Sequence, residues 1–358
     1  MCYMHDTSPV RASEQLDWPR LEAYLQEQLP ARVDSFDAAA PMAVEQFPGG
    51  HSNLTYLARF GTLELVVRRP PFGPVPASAH DMAREFRWLA ALNPIFPLAP
   101  RPFLLCDDAT IAGATFYVME RRHGRVLRDE EPPEVLDQPD IRRLVSERLV
   151  DTLADLHSID ITRDDIAALG KPLGFVERQV RGWTERWRRS TIDTVAEMDD
   201  CAQWLVDHLP PEPNRYAVVH GDFKLDNIML ATDRIDRLVA VFDWEMTALG
   251  DPLIDVGILL AYWSATVAHG GHASPAPLTT RPGWFSRDQV VERYATRSGR
   301  DVSHMRFYEI FALFKVAVIV QQIFYRYKHG QTDDPRFARF DVRVASLARR
   351  ASGLIDRK

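Results

Sequence analysis

A chain of 358 residues, 46% apolar and 26% charged, has the composition of a soluble globular protein with room for two separate cores, and its net charge of −7 gives no electrostatic footprint for nucleic acid. Three scattered cysteines (Cys2, Cys106 and Cys201) offer neither a disulfide framework nor a Cys-x-x-Cys metal pair, which favours a reducing compartment. The acidic N-terminus has no apolar core like that of a signal peptide, and apolar runs such as 256–263 and 316–320 are too short to span a bilayer, so a cytoplasmic chain with no membrane partner is expected.

In chain order, residues 16–29 read as a short amphipathic helix stopped by Pro30, and 44–47 as a strand. The turn-rich segment 48–56 leads into a strand at 55–60. Two glycines followed by small polar residues let backbone N–H groups approach a phosphate, which makes Gly49, Gly50, Ser52 and Asn53 candidate contacts. The Walker pattern Gly-x4-Gly-Lys is absent here and elsewhere. Gly61-Thr62 turns the chain into a strand at 63–69, where alternation puts Val66 and Arg68 on one face and Val67 and Arg69 on the other. An arginine is always charged and can grip phosphate oxygens bidentately. Arg68 is the candidate, Arg69 its replacement if the register slips by one, and a solvated arginine pair the plain alternative.

A proline-rich loop at 70–78 precedes a helix at 79–93, with Met82, Phe86 and Leu89 on one face and Glu85 beside it. Strands at 100–106 and 115–119 complete a five-stranded antiparallel sheet with one helix. After Glu120 the composition turns polar at Arg121, Arg122 and His123, where a hinge belongs, dividing the chain into 1–121 and 122–358. From Pro139 onward the pattern is mostly helical, and Ile141, Leu144, Val145, Leu149, Leu153 and Leu156 trace a stripe ending at His157, read as a packing or hydrogen-bonding residue. A helix at 175–190 carries Arg178, Arg181, Arg186, Arg188 and Arg189 with Trp183 and Trp187. It reads as a solvated face, with the wall of an anionic substrate site as the rival. Further helices are expected at 195–208, 256–263, 303–327 (interrupted by Lys315) and 336–354.

The most informative stretch is Val219-His220-Gly221-Asp222-Phe223-Lys224-Leu225-Asp226-Asn227, followed by Val241-Phe242-Asp243-Trp244-Glu245. Residues 228–231 and 238–242 read as two short strands around a polar turn. The carboxylates of Asp222 and Asp243 and the amide carbonyl of Asn227 are oxygen ligands of the kind that suit Mg²⁺, which takes few protein ligands and leaves room for phosphates.

The order His-x-Asp, Asn five residues later, then Asp on the next strand resembles the catalytic and metal-binding segments of protein kinases. It is more similar to the aminoglycoside phosphotransferase and choline kinase family, because the loop reads His-Gly-Asp, Trp244 follows Asp243, and Gly250-Asp251-Pro252-Leu253-Ile254-Asp255 matches that family's Gly-Asp-Pro-x-x-Asp segment. Gly-Gly-x-Ser-Asn at 49–53, Val-Arg-Arg-Pro-Pro at 67–71, Ala-His at 79–80 and Glu-Arg-Gln-Val-Arg at 177–181 resemble the kinase-like domains related to those fused to certain acyl-CoA dehydrogenases. The resemblance covers residues 40–330. It implies an α+β, protein-kinase-like bilobal fold with a small antiparallel-sheet lobe and a larger, mainly helical lobe.

The implied activity is ATP- and Mg-dependent transfer of the γ-phosphate to a hydroxyl of a metabolite, in this subgroup a hydroxy acid or its acyl thioester. The alternatives are an aminoglycoside- or choline-type kinase and a catalytically silent nucleotide-binding module. By the same resemblance Asp222 is the base, Asn227 and Asp243 hold Mg²⁺, Arg68 takes the place of the strand lysine with Glu85 as its partner, and Val66 roofs the adenine. Backbone groups near Glu120 and Arg121 would meet the adenine edge, Asp255 would anchor the catalytic loop, and His220 would brace it. A protein kinase is disfavoured because no activation loop fits between Asp243 and Gly250. The arginines of 175–190 and the lone Lys315 point to an anionic acceptor and would oppose a polycation.

Overall fold

The computed structural model describes residues 6–34, 36–48, 53–73, 81–128, 131–132, 134–263, 278–332 and 334–356. Gly49, Gly50 and Ser52 of the expected phosphate turn lie outside these residues. The chain forms two compact units, Met1–His123 with Val239–Glu245, and Gly124–Leu238 with Met246–Lys358. The return of 239–245 to the first unit has no counterpart in the division expected from sequence.

The first unit is built on β1 (Met42–Gln46), β2 (Leu54–Phe60), β3 (Leu63–Arg69), β4 (Pro102–Cys106) and β5 (Phe116–Glu120). They form one antiparallel sheet in the order β1-β2-β3-β5-β4. Helix α1 (Trp18–Gln28) starts where the Asp17 carboxylate accepts the Arg20 N–H at 3.1 Å, with a proline in its first turn. Its Leu21 and Leu25 share a core with Tyr56, Ala58, Leu65 and Val67 from one face of the sheet. Alternation therefore turns Val66 and Arg68 to the opposite face, as the sequence pattern requires. Helix α2 (Met82–Leu92) is capped by Asp81, and its buried residues include Met82, Glu85, Trp88 and Leu89. Phe86, expected on the core face, is only half-buried, whereas Glu85 is fully buried. A one-turn helix α3 (Ala109–Ala112) links β4 to β5.

The second unit is mainly helical: α4 (Pro139–Leu156), the short α5 (Asp164–Ala167), α6 (Phe175–Ser190), α7 (Ala196–Asp207), α8 (Leu253–Trp263), α9 (Arg287–Ser298), α10 (Met305–Lys328) and α11 (Phe340–Ile355). Short strands sit among them. β6 (Arg125–Val126) pairs with β8 (Ile228–Leu230), and β7 (Ala217–Val219) pairs with β10 (Ala248–Gly250). β9 (Leu238–Val241) carries the chain out of this unit toward Asp243. The 24-residue α10 is long and apolar enough to cross a bilayer, a property hidden when only the run 316–320 is counted. Its side chains are nonetheless mostly buried against α6, α7, α8 and α11.

Candidate active site

In the first unit, Arg68 is the penultimate residue of β3 and reaches toward α2. Its Nε lies 3.2 Å from Glu85 Oε2, and its Nη2 donates to Asp243 Oδ1 at 2.9 Å. Glu245 Oε2 is 3.8 Å away. Burial works against the Arg68 charge, but Glu85, Tyr117, Asp243 and Glu245 outweigh it and drive its pKa up. Burial raises Glu85 in turn, with Arg68 opposing. Arg69 points the other way. Its Nε donates to the Pro70 carbonyl at 3.0 Å and its guanidinium lies over the Phe72 ring, so the two arginines have different work.

Asp243 has φ +67, a left-handed backbone that Asp tolerates better than most side chains. One turn of 3-10 helix, Trp244–Met246, follows it. That turn is pinned by Trp244 Nε1 donating to Val241 O at 2.8 Å and Arg84 Nη1 donating to Glu245 O at 2.7 Å. The Glu245 carboxylate accepts from Asn53 Nδ2 at 2.8 Å. Burial and then Asp243 push Glu245 up to about 7. Asn53, expected near phosphate, is thus tied through its side chain to Glu245, a residue the sequence reading gave no role. The only available sign was its place two residues after Asp243. Arg84 likewise serves this turn.

The expectation at Glu120 and Arg121 concerns their backbone groups, and their side chains are engaged elsewhere. Glu120 Oε1 accepts from the Arg101 N–H at 2.6 Å, while Arg121 pairs with Asp6 and lies over Phe47.

In the second unit, β7 delivers His220, Gly221 and Asp222 from a fully buried strand. The buried Asp255 at the start of α8 accepts the His220 N–H at 2.6 Å and the Gly221 N–H at 2.7 Å. His157 Nε2 meets the same carboxylate at 3.1 Å, and its Nδ1 meets Tyr294 OH at 2.8 Å. Burial holds His157 below its usual range in spite of Asp255. His220 Nδ1 accepts the Asp222 N–H at 3.2 Å, which closes the turn on itself. Gly221 has φ +84, and a Cβ on it would sit 2.7 Å from the Met246 Cβ, so only glycine fits.

Asp222 is gripped by its own loop. Lys224 Nζ donates to Oδ2 at 2.6 Å, and Asn227 Nδ2 donates to the backbone oxygen at 2.9 Å and to Oδ2 at 3.1 Å. Burial favours the neutral acid, yet Lys224 and Lys315 overcome it and hold Asp222 below the normal carboxylate range. With its amide nitrogen committed to Asp222, Asn227 keeps its carbonyl oxygen for another partner.

Lys224 also lies 4.9 Å from the centre of the Tyr262 ring. Tyr262, at the end of α8, feels Lys224, Asp222 and Arg343 of α11. Burial holds Arg343 below its usual range, and its Nε has no hydrogen-bond partner among the described residues. The sequence reading missed Tyr262 and Arg343, and for Arg343 no local pattern could have signalled it.

The structure places the two groups offered for an anionic acceptor differently, with the arginines of α6 on the solvated face read from the sequence. Lys315 is buried and donates to the Gly221 carbonyl. The arginines of α6 are mostly solvated. Arg178 bonds the Leu173 and Lys171 carbonyls, Arg189 pairs with Glu185 at 2.7 Å, and Arg181 is exposed.

The sequence model of the phosphotransferase enzyme family matches residues 43–295. Acyl-CoA dehydrogenase family member 11 of Rattus norvegicus is 35% identical over 333 residues, which are 91% of this chain and 41% of that protein. Family member 10 of Mus musculus is 33% identical over 91% of this chain and 30% of its own length. The chain thus spans well under half of these curated relatives. Among solved structures, a protein from Ralstonia eutropha provisionally described as an aminoglycoside phosphotransferase superposes with a TM-score of 0.77 at 28% identity, covering 95% of this chain and 98% of that one. Choline kinase from Cryptosporidium parvum has the same fold, with a TM-score of 0.66 at 12% identity over 95% and 97% of the two chains. The protein-kinase-like α+β architecture expected from the motifs is therefore the one the chain adopts.

Proposed function

Because the chain belongs to the phosphotransferase enzyme family, we propose that it transfers the γ-phosphate of ATP to a hydroxyl of a small anionic metabolite, such as a hydroxy acid or its acyl thioester. The observation that carries this reading is the state of Asp222: half-buried, held below the normal carboxylate range and fixed in direction by Lys224 and Asn227. A carboxylate so placed can orient an acceptor hydroxyl. The acceptor oxygen bonds to the γ-phosphorus, the bond from that phosphorus to the β,γ-bridging oxygen breaks, and the hydroxyl proton passes to Asp222. A base held below its usual range is a weak acceptor, which suits a loose transition state in which the proton moves late.

The residues fit a hard divalent cation. No described residue donates to the Asn227 carbonyl oxygen, and burial together with the neighbouring Asp243 carboxylate pushes Glu245 up to about 7. In this reading Asn227 and Asp243 hold Mg²⁺, which when bound neutralises phosphate oxygens. Arg68 adds a second positive charge for the phosphates, backed by Glu85. Support for an anionic acceptor comes from Lys224, Tyr262 and the underpartnered Arg343, not from α6. Arg343 is half-buried and has no carboxylate partner among the described residues, a position that an incoming anion would favour.

The test is phosphate transfer from ATP to matched anionic, neutral and cationic alcohols, read by mass spectrometry, with Arg343→Ala beside the parent. An anionic preference that weakens in Arg343→Ala supports the proposal. Preference for an aminoglycoside or a choline-like cation would refute the acceptor class and leave phosphoryl transfer standing.

A further inference from the structure

The role of Lys315 deepens the phosphotransferase reading and rests on it. It is the one lysine in the otherwise apolar centre of α10, only 4% exposed, and its ammonium donates to the carbonyl of Gly221. A residue there that only packed helices together would be a leucine or methionine, because burying an ammonium costs several kcal/mol. The Gly221 peptide is held at both ends. Its N–H goes to Asp255 Oδ1 at 2.7 Å, and its carbonyl receives Lys315. That carbonyl shares a rigid peptide plane with the Asp222 N–H, which donates to His220 Nδ1. Holding the oxygen therefore sets the direction in which the Asp222 side chain leaves the backbone.

We propose that Lys315 is a positioning residue for phosphoryl transfer: by clamping the Gly221 carbonyl from within the helical core, it aims the Asp222 carboxylate. The charged groups around its ammonium are Asp222 and Lys224 on the loop, Asp255 on α8 and Arg186 on α6, with the Trp183 ring 5.3 Å away. Burial pulls Lys315 down to about 8, against the pull of Asp222 and Asp255. Above that pH the clamp loses its charge, so turnover should fall on the alkaline side.

Lys315→Met and Lys315→Arg in the full chain test this. In Lys315→Met, kcat should drop about 100-fold while Mg-ATP affinity by calorimetry stays within about twofold, since aim and not binding is lost. The wild-type alkaline fall in kcat, centred near 8, should vanish in that variant. Lys315→Arg keeps the charge and should recover part of kcat. An unchanged kcat, a parallel loss of nucleotide affinity, or an alkaline fall that persists in Lys315→Met would overturn the assignment. A readout independent of turnover is the amide ¹⁵N–¹H shift of Asp222. It should titrate near pH 8 in wild type and lose that step in Lys315→Met. If no alcohol is phosphorylated yet this step appears and disappears as described, the activity is wrong and the clamp stands. If phosphate is transferred and the amide does not respond, the clamp is wrong.

Discussion

Arg68 Nη2 donates to Asp243 Oδ1 at 2.9 Å, so the residue assigned to phosphate and the residue assigned to the metal hold one another. Glu85 supports Arg68 from behind at 3.2 Å. In the proposed function, Mg-nucleotide binding would replace an existing ion pair, and each partner's loss would have a cost beyond its own contact.

Arg68→Ala should lower affinity for ATP about 10- to 100-fold and leave adenosine binding unchanged, because only ATP carries the charge. It should also destabilise the fold by about 3–5 kcal/mol, since Glu85 is left buried without its cation. Arg69→Ala should affect stability but not nucleotide, given its contacts to Pro70 and Phe72. Calorimetry with both ligands separates these outcomes. Nucleotide sensitivity at Arg69 would show that the roles are reversed.

Asp222→Asn should abolish turnover by roughly three orders of magnitude or more and leave Mg-ATP affinity nearly intact. Asp243→Asn should weaken Mg-ATP binding itself, and the loss should shrink when Mg²⁺ is omitted from both measurements. Equal losses of nucleotide affinity in the two variants would remove the distinction drawn between them.

Asp255→Ala strips the acceptor from two buried N–H groups and from His157. The expected cost is about 3 kcal/mol or more, read by urea unfolding, together with a large loss of kcat. Asp255→Asn keeps one accepting oxygen and should fall between. A variant that unfolds normally and turns over normally would mean that the loop does not depend on this anchor.

Stability should also depend on pH through Lys315. Its folded pKa of about 8 lies below the free value of 10.5, so folding disfavours the bound proton. The penalty is whole below pH 8 and fades as pH rises toward the free value. Wild type should thus gain on Lys315→Met by up to about 3 kcal/mol between pH 7.5 and 10. A stability difference that does not move with pH would argue against a charged Lys315 at pH 7.

Much of this site was legible from local pattern. The alternation in β3 separated Arg68 from Arg69, and the spacing of His220, Asp222 and Asn227 marked one tight loop whose members do touch. What escaped the reading belongs to contacts between elements distant in sequence. Nothing near Lys315 says that Gly221 lies under it, and nothing near Asn53 says that its amide meets Glu245. Glu85 was recognised as Arg68's partner but placed beside the core face. Periodicity assigns carboxylates to the outside, and here a buried cation draws one inward.

The membership of Val239–Glu245 in the first unit has a consequence for how the chain is made. A ribosome that has released residues 1–123 has not yet supplied Asp243, Trp244 or Glu245, the partners of Arg68, Phe96 and Asn53. The amino-terminal sheet is synthesised first but completed only after another hundred or so residues have emerged. During that interval Glu85 has Arg68 but Arg68 lacks its second carboxylate. A truncated product ending at 123 should therefore be a substrate for chaperones and proteases, and no single cut would yield two autonomous fragments.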